Sequence, residues 1–244
     1  MLDAADWRTE WLADLPATRA VLWRGVEAQH RIATMKLVDS TDEQTILENL
    51  LESSKPPLPT GAAHVHHLIS TPFRYSSRWP SRFRAPGDPG VWYGAEKLQT
   101  ACAAVGYWRW RFASDSDALR DQAVVSEHTF FDATATGPVV DLVKPPWSQL
   151  EQWWMSSADY GACQRVARAA REAGASWIRY RSVRDPRHDA CGAVLTPDAL
   201  AIGDLTHQQT WACKVTPATV IMRPLGFAAA SAPLQFDMRT EAAR

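Results

Sequence analysis

Arg74, Arg78, Arg82 and Arg84 fall within eleven positions, with Phe73, Tyr75, Trp79 and Phe83 interleaved among them. A guanidinium grips phosphate through paired N–H donors and stacks on aromatic faces, so this composition suits a nucleotide diphosphate. A solvated arginine face over packed aromatics has the same composition, and composition alone does not separate the two. Tyr93 follows in VWYGA, then TACAAVGYW over 100–108, a helix-forming stretch without an acid. Ser182 and Arg184 lie much further on, in YRSVR. The cluster HVHH places His64 and His66 on one face if it is a strand. No acidic or cysteine ligand is near it in sequence, so no metal site is expected.

The elements that must position these groups form an irregular succession. Thr18 as a cap and Val21, Leu22, Val26, Ile32 and Met35 at roughly helical spacing predict a helix over 18–37. Ser40 with Glu43 predicts a capping box for a second helix, with Ile46, Leu47, Leu50 and Leu51 on one face. The proline-rich SSKPPLPTGAAH (53–64) then separates two regions: an N-terminal helical extension, 1–60, packed on the core, and the main domain, 61–244. Strands are expected in HHLISTPFRY, VWY, VVSEHTFFDAT, VVDLV, SWIRYRSV, TWACKV and TVIMR. Helices are expected over 95–109 and in DYGACQRVARAAREAG, ended by Gly174. Strands and helices do not alternate, which points to α+β.

With 244 residues, 46% of them hydrophobic, the chain is long enough for a real core. A net charge of −1 gives no global attraction to nucleic acid or anionic lipid, so neither is an expected partner. Cys102, Cys163, Cys191 and Cys213 are too scattered for a zinc site or a disulfide scaffold, and reduced structural thiols are expected. The acidic, tryptophan-containing start and the lack of a long apolar run predict a cytoplasmic protein without a membrane span. A P-loop is absent, and GDPGVWYGA lacks the glycine spacing of a dinucleotide fingerprint.

The ordered set TPFRY, SRFR, PGVWYGA, TACAAVGYWRWRF and WIRYRSVRDP resembles the RES-domain family over roughly residues 70–112 and 174–200. RGVEAQHRIATMKLVDS and SKPPLP resemble its longer-chain branch. The resemblance implies an ADP-ribosyltransferase-like mixed sheet core with surrounding helices. It also implies a toxin that consumes NAD and is paired with an Xre-type helix-turn-helix antitoxin. Nicotinamide is released by hydrolysis, by phosphorolysis with inorganic phosphate as acceptor, or by transfer of ADP-ribose to a protein.

Carried over by motif, Arg74 and Arg82 bind the pyrophosphate, Tyr93 stacks on nicotinamide or borders the ribose, and Ser182 holds the ribose or orients the nicotinamide. Arg184 belongs to the same wall. The family's glutamate falls eleven residues after the tyrosine, where this chain has Ala104. Losing neutral nicotinamide from a cationic ring leaves positive charge on the ribose, which a fixed carboxylate stabilises. Alanine cannot do so, and the chain is expected to be crippled. The alanine is either a natural loss or a deliberate replacement of glutamate; the intact neighbouring motif favours replacement. A catalytically dead nucleotide- or antitoxin-binding module is the other class of reading, and the twelve tryptophans leave room for a homo-oligomer.

Overall fold

The computed structural model describes residues 7–28, 33–58, 62, 65–75, 78–201, 208–226 and 231–239. Its strands are β1 (Ala17–Glu27), β2 (Trp92–Ala95), β3 (Val124–Asp141), β4 (Trp177–Arg181), β5 (Ala190–Val194), β6 (Leu200–Ala201), β7 (Gln209–Val215), β8 (Thr219–Pro224) and β9 (Leu234–Asp237). The α-helices are α1 (Thr41–Ser54), α2 (His67–Arg74), α3 (Leu98–Ser114), α4 (Glu151–Trp154) and α5 (Gly161–Glu172). One sheet runs β1-β2-β5-β4-β3-β7-β8-β9, with β6 beside β3. β3 is parallel to β4, and the neighbouring pairs β4–β5 and β3–β7 are antiparallel. The fold is thus α+β with a large mixed sheet, as the irregular succession of elements predicts.

β1 also pairs with β3, from Ala17↔Pro138 to Glu27↔His128, so β1, β2, β5, β4 and β3 close into a ring. Inside it pack Leu22, Trp92, Phe131, Val139, Trp177 and Val194. The ring is splayed between β1 and β2, which meet only at Trp23↔Ala95.

β1 corrects the helix expected over 18–37. The apolar spacing fits a helix, but Thr18, Val21, Trp23 and Val26 prefer a pleated surface, and Gly25 weakens a helix interior. Long pairing with β3 decides the outcome. A Cβ at Gly25 would stand 2.5 Å from Phe130 Cε1 and 2.7 Å from Val105 Cγ2, so glycine is what lets α3 and β3 close on β1.

The expected helical extension over 1–60 is therefore corrected as well: a sheet strand precedes α1, and no residue of α1 is buried. Ser40 caps α1 as expected, accepting the Glu43 N–H at 3.2 Å, while the Glu43 carboxylate accepts from the N–H of Asp39 at 2.9 Å. Ile32 lies outside the described residues.

HHLISTPFRY is a helix, not a strand. His66 Nδ1 accepts the Leu68 N–H at 3.2 Å, and Ile69 and Phe73, four apart, turn inward. Pro72 has no N–H to offer the Leu68 carbonyl, which instead accepts from Trp92 Nε1 at 3.3 Å. His66 and His67 thus begin a helix rather than line a strand; His64 lies outside the described residues.

β3 carries both VVSEHTFFDAT and most of VVDLV in one eighteen-residue strand. α3 packs against β7 and β8 through Cys102, Trp110 and Ala113, and α5 packs its Cys163, Val166 and Ala170 over β4 and β5. Trp7 and Trp11 lie against Trp147, whose ring in turn meets Trp154. No helix among the described residues is long and apolar enough to cross a membrane.

Candidate active site

α3 has two inner faces. Thr100, Cys102, Ala103, Gly106 and Trp110 are buried. Gly106 faces β8, where a Cβ would meet Val220 Cγ1 at 2.7 Å, so the helix lies close on the sheet. Ala101, Ala104, Val105, Trp108 and Phe112, at intervals of three and four, line a cavity instead. Its volume of about 520 Å³ is that of a small-molecule site. The structure brings Arg82, Tyr93, Ala104, Ser182 and Arg184 together around it.

Arg82 is buried and fixed by main-chain oxygens. Nη1 donates to the Trp154 carbonyl at 2.7 Å, Nη2 donates to that of Ser156 at 2.9 Å, and the guanidinium lies 4.9 Å from the Tyr160 ring centroid. Tyr93 holds the segment that presents Arg82: its hydroxyl accepts the Phe83 N–H at 3.0 Å and bonds Ser81 Oγ at 2.8 Å. Burial pushes its phenol up, so it acts as a neutral group.

Ser182 is buried at the end of β4, where its Oγ accepts the N–H groups of Arg184 and Asp185 at 3.2 and 3.1 Å. Asp185 in turn accepts from Thr100 Oγ1 at 2.6 Å, tying this turn to α3 one helical turn before Ala104. Arg184 stacks over Tyr107 at 3.6 Å and donates to the Ser157 carbonyl at 2.7 Å.

Arg74 is not part of this assembly. It does not line the cavity; its guanidinium pairs with Glu52 at 2.6 Å and donates from Nε to the Pro56 carbonyl at 2.5 Å, so the structure does not bring it to the other residues expected at the pyrophosphate. The physical reason is that Arg74 ends a helix and is turned towards α1. Glu96 falls within the helix expected over 95–109 but precedes α3, which begins at Leu98, and is held by Arg179 at 2.6 and 3.1 Å. It does not line the cavity and cannot replace an acid at 104.

Arg24 was not anticipated. It stands on β1 at the gap between β1 and β2, lines the cavity, donates from Nη1 to the Tyr93 carbonyl at 2.9 Å and lies 5.3 Å from the Trp92 ring centroid. Its Nε has no hydrogen-bond partner among the described residues. Burial lowers its pKa to about 10. An enclosed guanidinium with a spare donor is a group prepared for an anion. The signal in sequence was a lone arginine between apolar residues in AVLWRGV, visible only once that stretch is read as a strand.

The cavity therefore carries the guanidinium groups of Arg24, Arg82, Arg109 and Arg184 against one carboxylate, Glu27, among the described residues. In a chain of net charge −1 this is a local concentration of positive charge. Among the described residues, no group of three histidine, cysteine, aspartate or glutamate side chains could hold a metal ion.

A ring-closed mixed sheet with a helix over an arginine-lined cavity defines an α+β protein whose cavity carries a local concentration of positive charge. The RES domain matches residues 59–216, well over half of the chain, and the chain belongs to the RES-domain family. Arg24 lies upstream of the matched residues. No curated protein matches the chain. Among solved structures, a chain of the M. tuberculosis MbcT–MbcA toxin–antitoxin complex is similar, with 15% identity and a TM-score of 0.48 over 86% of this chain and 92% of that one.

Proposed function

We propose that this chain is the toxin of a toxin–antitoxin pair whose cavity binds NAD, and that its active form breaks the nicotinamide–ribose bond. The observation that carries the reading is that position 104 faces the arginine-lined cavity, beside Tyr93, Arg82 and Ser182, in a member of the RES-domain family. Arg24 and Arg82 hold the pyrophosphate, with Arg184 on the same wall. Tyr93 fixes the Arg82 segment, and the turn at Ser182, tethered by Asp185 and Thr100, borders the nicotinamide ribose.

As nicotinamide leaves as a neutral base, the electron pair of the glycosidic bond goes with it and the ribose gains oxocarbenium character. A carboxylate at 104 stabilises that charge and activates the acceptor, water or inorganic phosphate; Ala104 leaves the charge without a counterpart. The chain as it stands binds NAD and turns it over at a crippled rate. Family membership supports an Xre-type antitoxin as partner and the cytoplasm, where NAD is found, as the place of action.

Product identity tests the reading. Ala104→Glu incubated with NAD and phosphate should release nicotinamide with free or phosphorylated ADP-ribose. Label from NAD appearing in a protein band instead would replace this reading with protein ADP-ribosylation. No product of either kind from a folded variant would leave a binding module.

A further inference from the structure

The far end of the cavity is built from groups that the bond-breaking chemistry leaves unused. Trp108 and Phe112 follow Ala104 by four and eight residues, about 6 and 12 Å further along the α3 axis. They line the cavity, yet their side chains are 54% and 57% exposed. Arg109 lies 5.2 Å from the Phe112 ring centroid, and its Nε is enclosed without a hydrogen-bond partner among the described residues. Its Nη2 stands 3.8 Å from the Glu27 carboxylate, beyond hydrogen-bond length. Glu27 ends β1 opposite His128, whose ring is engaged by Ser126 at 2.9 Å.

Two open aromatic faces, one spare donor and one spare acceptor match the needs of a purine base. A further phosphate fits less well, because the Glu27 carboxylate would repel it. Resting on the NAD reading, we infer that Trp108, Phe112, Arg109 and Glu27 form the seat of the adenine. The base stacks on the aromatic side chains, Glu27 accepts from its 6-amino group, and Arg109 Nε donates to a ring nitrogen. The seat lies on the same helix as position 104, so α3 sets both the reacting end and the recognised end of the dinucleotide.

Calorimetric titration of the chain as it stands, which binds without rapid turnover, tests this. NAD is compared with nicotinamide hypoxanthine dinucleotide, which has an oxo group for the 6-amino group, and with nicotinamide mononucleotide, which lacks the adenosine half. Trp108→Ala should weaken NAD by about tenfold or more and leave the mononucleotide unchanged. The hypoxanthine analogue should bind about tenfold more weakly than NAD, and Glu27→Gln should erase that difference, since the amide can accept or donate. Both side chains are largely exposed, and a thermal melt confirms folding of each variant. If NAD binds but neither Trp108→Ala nor the base change alters affinity, the adenine seat is wrong while the NAD reading stands. If the unaltered chain binds no NAD at all, the NAD reading itself fails.

Discussion

Arg24→Met should leave the stability of the free protein nearly unchanged and make its ligand binding worse. Burial holds the Arg24 pKa down to about 10, which corresponds to about 3 kcal/mol against the charged form at neutral pH. Methionine removes that penalty but leaves the Tyr93 carbonyl without its donor, at a cost of about 1–3 kcal/mol, and forfeits the contact with the Trp92 ring. The terms nearly cancel, so the expected change is within about 1 kcal/mol, or a Tm within about 2–4 °C of the unaltered chain. The folded protein holds fewer protons than the unfolded chain above about pH 10, so the penalty is complete below that pH and fades above it. The stability of the variant relative to the unaltered chain should fall in the same window. Losing charge-assisted hydrogen bonds to a pyrophosphate costs about 1.5–3 kcal/mol, so NAD should bind about 10- to 100-fold more weakly. Thermal melts and calorimetry of the two proteins suffice. A Tm several degrees lower with NAD affinity unchanged would show that Arg24 is a structural cation and refute the reasoning.

Three further outcomes follow from the geometry. Arg74→Ala should leave NAD affinity within about twofold of the unaltered chain and cost at most about 1 kcal/mol in a melt, because its partner Glu52 is more than half exposed. Ser182→Ala should cost about 1–3 kcal/mol in urea unfolding, since two buried or half-buried N–H groups lose their acceptor. All four cysteines are free and buried, with Cys191 pushed up to about 12 and Cys213 to about 11, so none should react with a thiol reagent at pH 8 until the protein is unfolded.

Much of the candidate site's grouping around one cavity was legible because its groups lie in short phrases with fixed spacing. Tyr93 and position 104 are joined by one tight passage from β2 into α3, so an eleven-residue interval survives folding intact. Arg82 and Ser182 lie in equally short phrases, Arg82 between the bridged Ser81 and Arg84 and Ser182 directly after β4. The misses have one cause: local spacing was read without its tertiary partner. Residues 17–27 satisfy a helical apolar pattern, but β3 offers eleven residues of ladder, and pairing overrode the pattern. Once β1 was missed, Arg24 could not be seen as a cavity residue. HHLISTPFRY erred in the other direction, where a histidine cap and an indole that occupies the proline-freed carbonyl make a helix viable. Arg74, at the end of that helix, pairs with Glu52 and stands apart from the cavity.

The most direct measurement is the rate of nicotinamide release from NAD by Ala104→Glu against the chain as it stands, at equal concentration. A fixed carboxylate at a developing oxocarbenium ion contributes about 10²–10³ in rate. The glutamate variant should therefore be faster by at least that factor, with similar NAD affinity. Equal rates in two folded proteins that both bind NAD would contradict the assignment of position 104 as the place of the missing acid.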